Sequence, residues 1–507
     1  MTTSTVHPGQ LMMVDIEGTQ LDAETEAFLR AGQFGGVCLF RRNIVDEPQV
    51  QTLTTALRAV LGPLALIAID QEGGAVARVP FLPQAPSAMA LGALDDTDSA
   101  HRIGAAVGRG LAHLGFNWDF APVVDVNNNP ANPVIAERSF GADPARVTRL
   151  AGAWMRGATE AGVACCLKHF PGHGDTHADS HHALPVVRKR WAELQRVELE
   201  PFRQLASEAD AFMTAHILYP EVDADWPATL SQRWLHDVLR EDLGFGGLLI
   251  TDALNMRAIR DQYGMAQAAV LALSGGADMV MVFGGRDQQQ QALDALLAAQ
   301  RDGELDIPRL QSAQERIHAV ARRFPATAHP YPQEQRSADE ALVHKAWRDA
   351  VRCLGKARPP AAGEALHFVT QANGGADAVS DAGVSAATLR AVFDAYPAAT
   401  WELVDDLTCW KCDPCRAAGR RVVLLSNHRR RYKSPPQGAP DLHVLLWNPY
   451  QCLDFPMSPS VITWGHAEGA LSALRAWLRG EFTAPELDPA LLGLATLDEA
   501  GGVRQPV

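Results

Sequence analysis

The sequence predicts an α/β protein: a (β/α)8 TIM-type barrel followed by a smaller α/β sandwich domain. Two observations carry the barrel. Short apolar runs alternate with longer amphipathic stretches through about residue 325, and the ionisable residues gather where the runs end. A third marks the boundary: the polar, proline-containing stretch Phe324-Pro-Ala-Thr-Ala-His-Pro-Tyr-Pro-Gln-Glu-Gln, after which a second set of strand and helix signals begins. The expected domains are a catalytic barrel over 1–325, a linker over 326–344 and a diverged sandwich-like domain over 345–507.

The eight runs are 11–16, 36–40, 64–70, 117–125, 163–169, 211–217, 248–252 and 279–283. They are nearly continuous in aliphatic and β-branched residues, which suits strands buried on both faces, as in a parallel sheet. Helix-like stretches fall between them at 50–61, 100–114, 144–161, 196–208 and 289–301. Eight strands with crossovers in roughly 320 residues is the size of such a barrel with inserted loops. Beyond the linker, strand-like runs at 365–370, 400–404, 421–426, 443–447 and 461–464 accompany helix-like 386–395 and 467–478.

Composition narrows the function. The chain has 507 residues, 47% hydrophobic and 21% charged, and a net charge of −14. These values fit a packed globular protein and work against a polyanion partner such as nucleic acid. The basic run Arg429-Arg430-Arg431-Tyr432-Lys433 is too short for a nucleic-acid footprint. No stretch reaches the ~20 apolar residues of a membrane span, and the N-terminus lacks the pattern of a secretory signal, so a cytoplasmic location is expected. The eight cysteines do not form the dense framework of a small secreted domain, and reduced thiols are expected. Cys409, Cys412 and Cys415, with Cys452, His428 or His443, leave a structural zinc site open beside the reading of unliganded thiols. The adjacent Cys165 and Cys166 read as buried core thiols.

The richest segment is Lys168-His169-Phe170-Pro171-Gly172-His173-Gly174-Asp175-Thr176-His177-Ala178-Asp179-Ser180-His181-His182-Ala183-Leu184-Pro185. Five histidines, two aspartates and a lysine crowd one loop after a strand. His173, His177 and His181 are spaced by four, as metal ligands on a helix face are, but Pro171, Gly172 and Gly174 argue against a regular helix. The other reading is acid/base work by a histidine that a carboxylate orients. Asp179 stands two residues before His181, close enough to bond Nδ1 and fix the tautomer. Asp252 follows the apolar run Leu249-Ile250-Thr251, where a carboxylate is costly unless paired or functional. Asp70-Gln71-Glu72-Gly73-Gly74 with Arg78, and Glu137-Arg138-Ser139-Phe140-Gly141, supply carboxylates and guanidinium groups able to hold adjacent sugar hydroxyls.

In order, Asp-Gln-Glu-Gly-Gly, Phe-Ala-Pro-Val-Val-Asp-Val, Glu-Arg-Ser-Phe-Gly, Lys-His-Phe-Pro-Gly-His-Gly-Asp with Asp-Ser-His, and Thr-Asp-Ala-Leu-Asn-Met resemble the glycoside hydrolase family 3 β-N-acetylglucosaminidases of the NagZ type. The resemblance covers about residues 8–325, and a weaker likeness to the sandwich of two-domain relatives covers roughly 345–482. It implies that Asp252 is a nucleophile forming a covalent glycosyl-enzyme, that His181 is the general acid/base with Asp179 as its partner, and that Asp70, Arg78, Arg138, Lys168 and His169 hold the terminal sugar. Ala75 departs from relatives that carry arginine there. The implied activity is retaining, exo-acting β-N-acetylglucosaminide hydrolysis, of the β-N-acetylhexosaminidase type, without cofactor or metal. Implied substrates are GlcNAc-containing peptidoglycan fragments or chitooligosaccharides. Rival readings are a β-N-acetylglucosaminide phosphorylase, a metal-dependent barrel hydrolase and a non-catalytic sugar-binding protein. The loop carrying His181 is expected to close over bound sugar, and the second domain to pack beside the barrel or mediate dimerisation.

Overall fold

The computed structural model of the chain describes residues 6–374, 380, 383–411, 419–433 and 438–494. Eight strands close into a barrel in which every neighbouring pair is parallel: β1 (Met12–Asp15), β2 (Gly36–Cys38), β3 (Leu66–Ile69), β4 (Trp118–Asp119), β5 (Ala164–Phe170), β6 (Ala211–Thr214), β7 (Leu248–Ala253) and β8 (Met279–Val282). Each apolar run of the sequence coincides with one of them, β5 and β7 each running one residue further than the run. Burial on both faces explains the lack of alternation, as β3 and β5 are buried along their whole length.

Two elements differ from the sequence pattern for local reasons. The run 117–125 yields only the two-residue β4. Pro122 has no N–H to give the ladder, yet Phe120 N–H still reaches Ile69 O at 2.8 Å and Val124 N–H reaches Lys168 O at 2.8 Å. The helix expected over 196–208 is divided between Trp191–Arg196 and Glu200–Leu205, the second starting with Pro201 in its first turn, where the missing N–H is harmless.

The stretch 326–344 is not a linker throughout. A helix starts at Gln333 and runs to Ala350 because Asp339, Val343, Ala346, Trp347 and Ala350 form a buried stripe along one face. Trp347, fully buried, donates its indole N–H to Gln84 O at 2.8 Å, and Asp339 receives Arg109 Nε at 2.9 Å. This helix bolts the barrel to the C-terminal domain.

That second domain is a six-stranded sheet of β9 (Arg352–Leu354), β10 (Leu366–Gln371), β11 (Thr400–Val404), β12 (Arg421–Ser426), β13 (Leu442–Leu445) and β14 (Ser460–Ile462), in the order β9-β14-β13-β12-β10-β11. Only β9 is antiparallel to its neighbour. It is the strand that sequence patterning missed, being three residues long and led by arginine. The domain lies against the barrel: Trp464, Tyr450 and Leu445 join the barrel's apolar core. Arg429 bonds Glu137 at 3.0 Å, Trp447 Nε1–H donates to the same carboxylate at 2.8 Å, and Arg431 Nη1 reaches Pro130 O at 3.1 Å. Two arginines of the short basic run are therefore consumed by the domain interface. Among the described residues, no helix is long and apolar enough to cross a membrane.

Candidate active site

The barrel strands' C-terminal ends surround a cavity of about 710 Å3. Of the eight residues singled out in the sequence, Asp70, Arg78, Arg138, Lys168, His169, His181 and Asp252 line it, and Asp179 stands behind His181. Residues scattered over more than 180 positions meet there because each follows or ends a strand, which is how the fold concentrates chemistry.

At the cavity floor lies a buried ionic network. Lys168, at the end of β5, donates to Asp70 Oδ1 at 2.6 Å and lies 2.6 Å from Glu72 Oε1. Arg138 grips Glu72 through two parallel bonds of 2.9 and 2.8 Å, and Arg78 Nη2 stands 3.9 Å from Asp70. Burial alone would push Glu72 up, but Arg138 and Lys168 hold its carboxyl well below the usual carboxylate range. Asp70 and Glu72 overcome burial at Lys168, and Glu72 does so at Arg138, raising both above their ordinary values. All three are therefore charged near neutral pH, presenting fixed donors and acceptors to a ligand without the cost of ordering them later. Asp119, just behind, is different: burial pushes it up to about 8, and its Oδ1 accepts the Gln71 N–H at 2.9 Å, steadying the chain between Asp70 and Glu72. Gly73 completes this turn at φ 103°, where a Cβ would stand 2.4 Å from Pro86 O.

The histidine-rich loop is organised by Asp125. Its carboxylate accepts His169 Nδ1–H at 2.7 Å and the backbone N–H groups of His169 and His173 at 3.1 and 2.6 Å. Gly174 lets the loop lie flat on the barrel, since a Cβ there would come within 1.7 Å of Val126 O. The spacing of His173, His177 and His181 does not make a metal site. His173 is buried with its ring nitrogens 3.0 Å from Thr176 Oγ1 and 3.1 Å from Ser180 Oγ, and burial pushes it down to about 4. His177 Nδ1 faces Asn129 instead, at 3.2 Å. Among the described residues, the one grouping with metal-ligand spacing is His236, Asp237 and Glu241 on the surface. Of the cysteine cluster, Cys412 and Cys415 lie outside the described residues, while Cys409 is exposed and Cys452 buried.

His181 receives the arrangement that its spacing suggested. Asp179 Oδ1 accepts both the backbone N–H of His181 at 2.9 Å and its Nδ1–H at 2.8 Å. Burial works against the Asp179 carboxylate, yet the bonds and charge of His181 bring it down to about 2. An ionised Asp179 holds the proton on Nδ1 and leaves Nε2 free to exchange one with a ligand.

Asp252, one residue from the end of β7, is held from two sides. Its N–H donates to Thr214 Oγ1 at 3.2 Å, and its Oδ1 accepts the Ala253 N–H at 2.7 Å. Burial would raise its pKa, but His216, His169 and His181 together with that N–H leave it below the ordinary value. An anionic carboxylate is thus kept in the cavity wall within electrostatic reach of His181. Glu72 stood in a sequence motif without a role, while Asp125 ends the run 117–125 and His216 lies in the run 211–217. The structure makes Glu72 the hub of the cation network, Asp125 the anchor of the loop, and His216 a prop whose Nε2–H donates to Ala253 O at 3.0 Å. A carboxylate directly after an apolar run was the available signal for Asp125.

With this geometry in view, comparison with known proteins is unambiguous. Residues 5–320 match the glycosyl hydrolase family 3 N terminal domain, and the chain belongs to that family. It is 38% identical over 293 residues to a beta-hexosaminidase of Idiomarina loihiensis, covering 57% of this chain and 88% of the relative. A glycoside hydrolase family 3 beta-N-acetylglucosaminidase from Paenibacillus sp. superposes with a TM-score of 0.85 at 31% identity, over 94% of this chain and 96% of that one. NagZ from Neisseria gonorrhoeae, at 31% identity and a TM-score of 0.57, covers 66% of this chain and 97% of its own length. The two-domain architecture is therefore shared across nearly the whole chain with the Paenibacillus enzyme.

Proposed function

We propose that the protein is an exo-acting β-N-acetylglucosaminidase that removes a terminal β-linked GlcNAc with retention of configuration. The observation that carries this reading is the pairing, across one cavity, of the half-buried anionic Asp252 with an Asp179-oriented His181. Asp252 attacks the anomeric carbon and forms the glycosyl-enzyme. The His181 Nε2 proton passes to the departing oxygen, and the same nitrogen then takes a proton from the incoming water. Asp70, Arg78, Arg138, Lys168 and His169 hold the hydroxyls of the terminal sugar; their fixed charges favour one orientation of the ring. The proposed substrates are GlcNAc-bearing peptidoglycan fragments or chitooligosaccharides, and the proposed location is the cytoplasm.

The test is the initial rate on an aryl β-N-acetylglucosaminide with and without phosphate. Release of free GlcNAc, unchanged by phosphate, is expected. GlcNAc-1-phosphate formed at a rate that rises with phosphate would instead make the protein a phosphorylase, and absence of any release would overturn the reading of the site.

A further inference from the structure

Among the few large apolar side chains exposed in the described residues is Trp226, with 38% of its surface open. It follows β6, on the face of the barrel that carries the cavity. Its position is set by Asp223, whose Oδ1 accepts the N–H groups of Asp225 at 3.0 Å and Trp226 at 3.1 Å while Oδ2 accepts Ser231 Oγ at 2.5 Å. Tyr263 lies beside it, with ring centroids 5.7 Å apart and planes inclined by 31°, so the two rings make a tilted pair in which Trp226 is the more exposed.

One short helix joins this pair to the wall of the active site. Tyr263 ends the helix Arg257–Tyr263, which starts four residues after Asp252 at Met256, its N-cap. Arg257 and Arg260 of that helix line the cavity, and Tyr263 is one turn past Arg260, on the same side and about 4.5 Å further along the axis. At its near end the helix is tied to the catalytic loop, as Ala258 N–H reaches Ser180 O at 3.3 Å. One short helix thus runs from the loop of His181, along the cavity wall, to the aromatic pair. A flat apolar face with the Asp223 carboxylate beside it suits a pyranose ring, whose C–H face packs on an indole while a hydroxyl reaches the carboxylate.

We propose that Trp226, backed by Tyr263, is a platform for a sugar ring in the leaving part of an oligosaccharide, beyond the bond that is cut. This rests on the function proposed above and adds the side of the cavity along which the aglycone leaves. The experiment compares wild type, Trp226→Ala and Trp226→Phe on chitotriose and on nitrophenyl β-N-acetylglucosaminide, whose leaving group carries no sugar ring. Trp226→Ala is expected to raise KM for chitotriose about five- to tenfold with kcat within about twofold, Trp226→Phe to restore most of the loss, and the nitrophenyl kinetics to stay unchanged. Equal losses on both substrates, or unaltered chitotriose kinetics, would overturn the platform while leaving the glycosidase reading intact. Wild-type inactivity on both substrates would overturn the two together.

Discussion

The barrel and the mostly parallel sheet of the second domain both bury polar groups at their strand ends, and they treat them in opposite ways. In the barrel, Lys168, Asp70, Glu72 and Arg138 are held as ions beside an open cavity. In the second domain, Ser426 at the end of β12 bonds His443 Nε2 at 2.6 Å and Tyr432 Oη at 2.8 Å in a wholly buried cluster, and burial pushes His443 down to about 3 and Tyr432 far up. The first set is charged and reachable; the second is neutral and sealed beneath Phe455. Buried polarity at a strand end therefore marks function only where opposite charges are paired around space for a ligand.

The comparison can be broken by mutation, and the barrel should show the larger effects. Asp252→Asn is expected to lower kcat by about 10^4-fold with little change in melting temperature, and His181→Ala by about 10^3-fold. Steady-state kinetics and a melting curve check both. Glu72→Gln leaves Lys168 and Arg138 buried with one anion fewer, and chemical denaturation is expected to show a loss of about 3–5 kcal/mol as well as impaired binding.

A third expectation concerns pH. Burial holds His173 at about 4 and His428 at about 4, below the 6.5 of an exposed histidine. Between these values the unfolded chain takes up protons that the folded one refuses. The stability from keeping each imidazole neutral is thus complete above about pH 6.5 and lost as pH falls towards 4, by about 3 kcal/mol per residue. Melting temperature is expected to fall over that window, and a flat profile from pH 7 to 4.5 would contradict the burial described for both. Smallest is Ser426→Ala: a loss of about 1–3 kcal/mol in stability from unpairing His443 and Tyr432, with kcat unchanged.

Most of the site was legible because the fold obliges it to be. Asp70, Lys168 and Asp252 end or follow apolar strands, so a reader who finds the strands finds the cavity. Asp179 and His181 were legible from a two-residue spacing that a turning loop converts into one hydrogen bond. What the sequence hid was partnership across the barrel: Glu72 meets Arg138 from 66 positions away, and nothing in either motif states that the pair is closed before any sugar arrives. The helix Gln333–Ala350 was hidden for another reason. Prolines and polar residues at its start read as a linker, while its buried stripe is recognisable only against the surfaces it fills. At β4, Pro122 interrupts a strand whose apolar residues run on past it to Val124.

The central claim, that Asp252 is the residue that becomes glycosylated, is tested most directly by incubating the protein with a ring-fluorinated N-acetylglucosaminyl fluoride, which forms a glycosyl-enzyme quickly and releases it slowly. Mass spectrometry of the intact protein and of its peptides reads the result. A single added sugar located on Asp252, and lost from Asp252→Asn, is the predicted outcome; turnover with no adduct, or an adduct on another residue, would contradict the account.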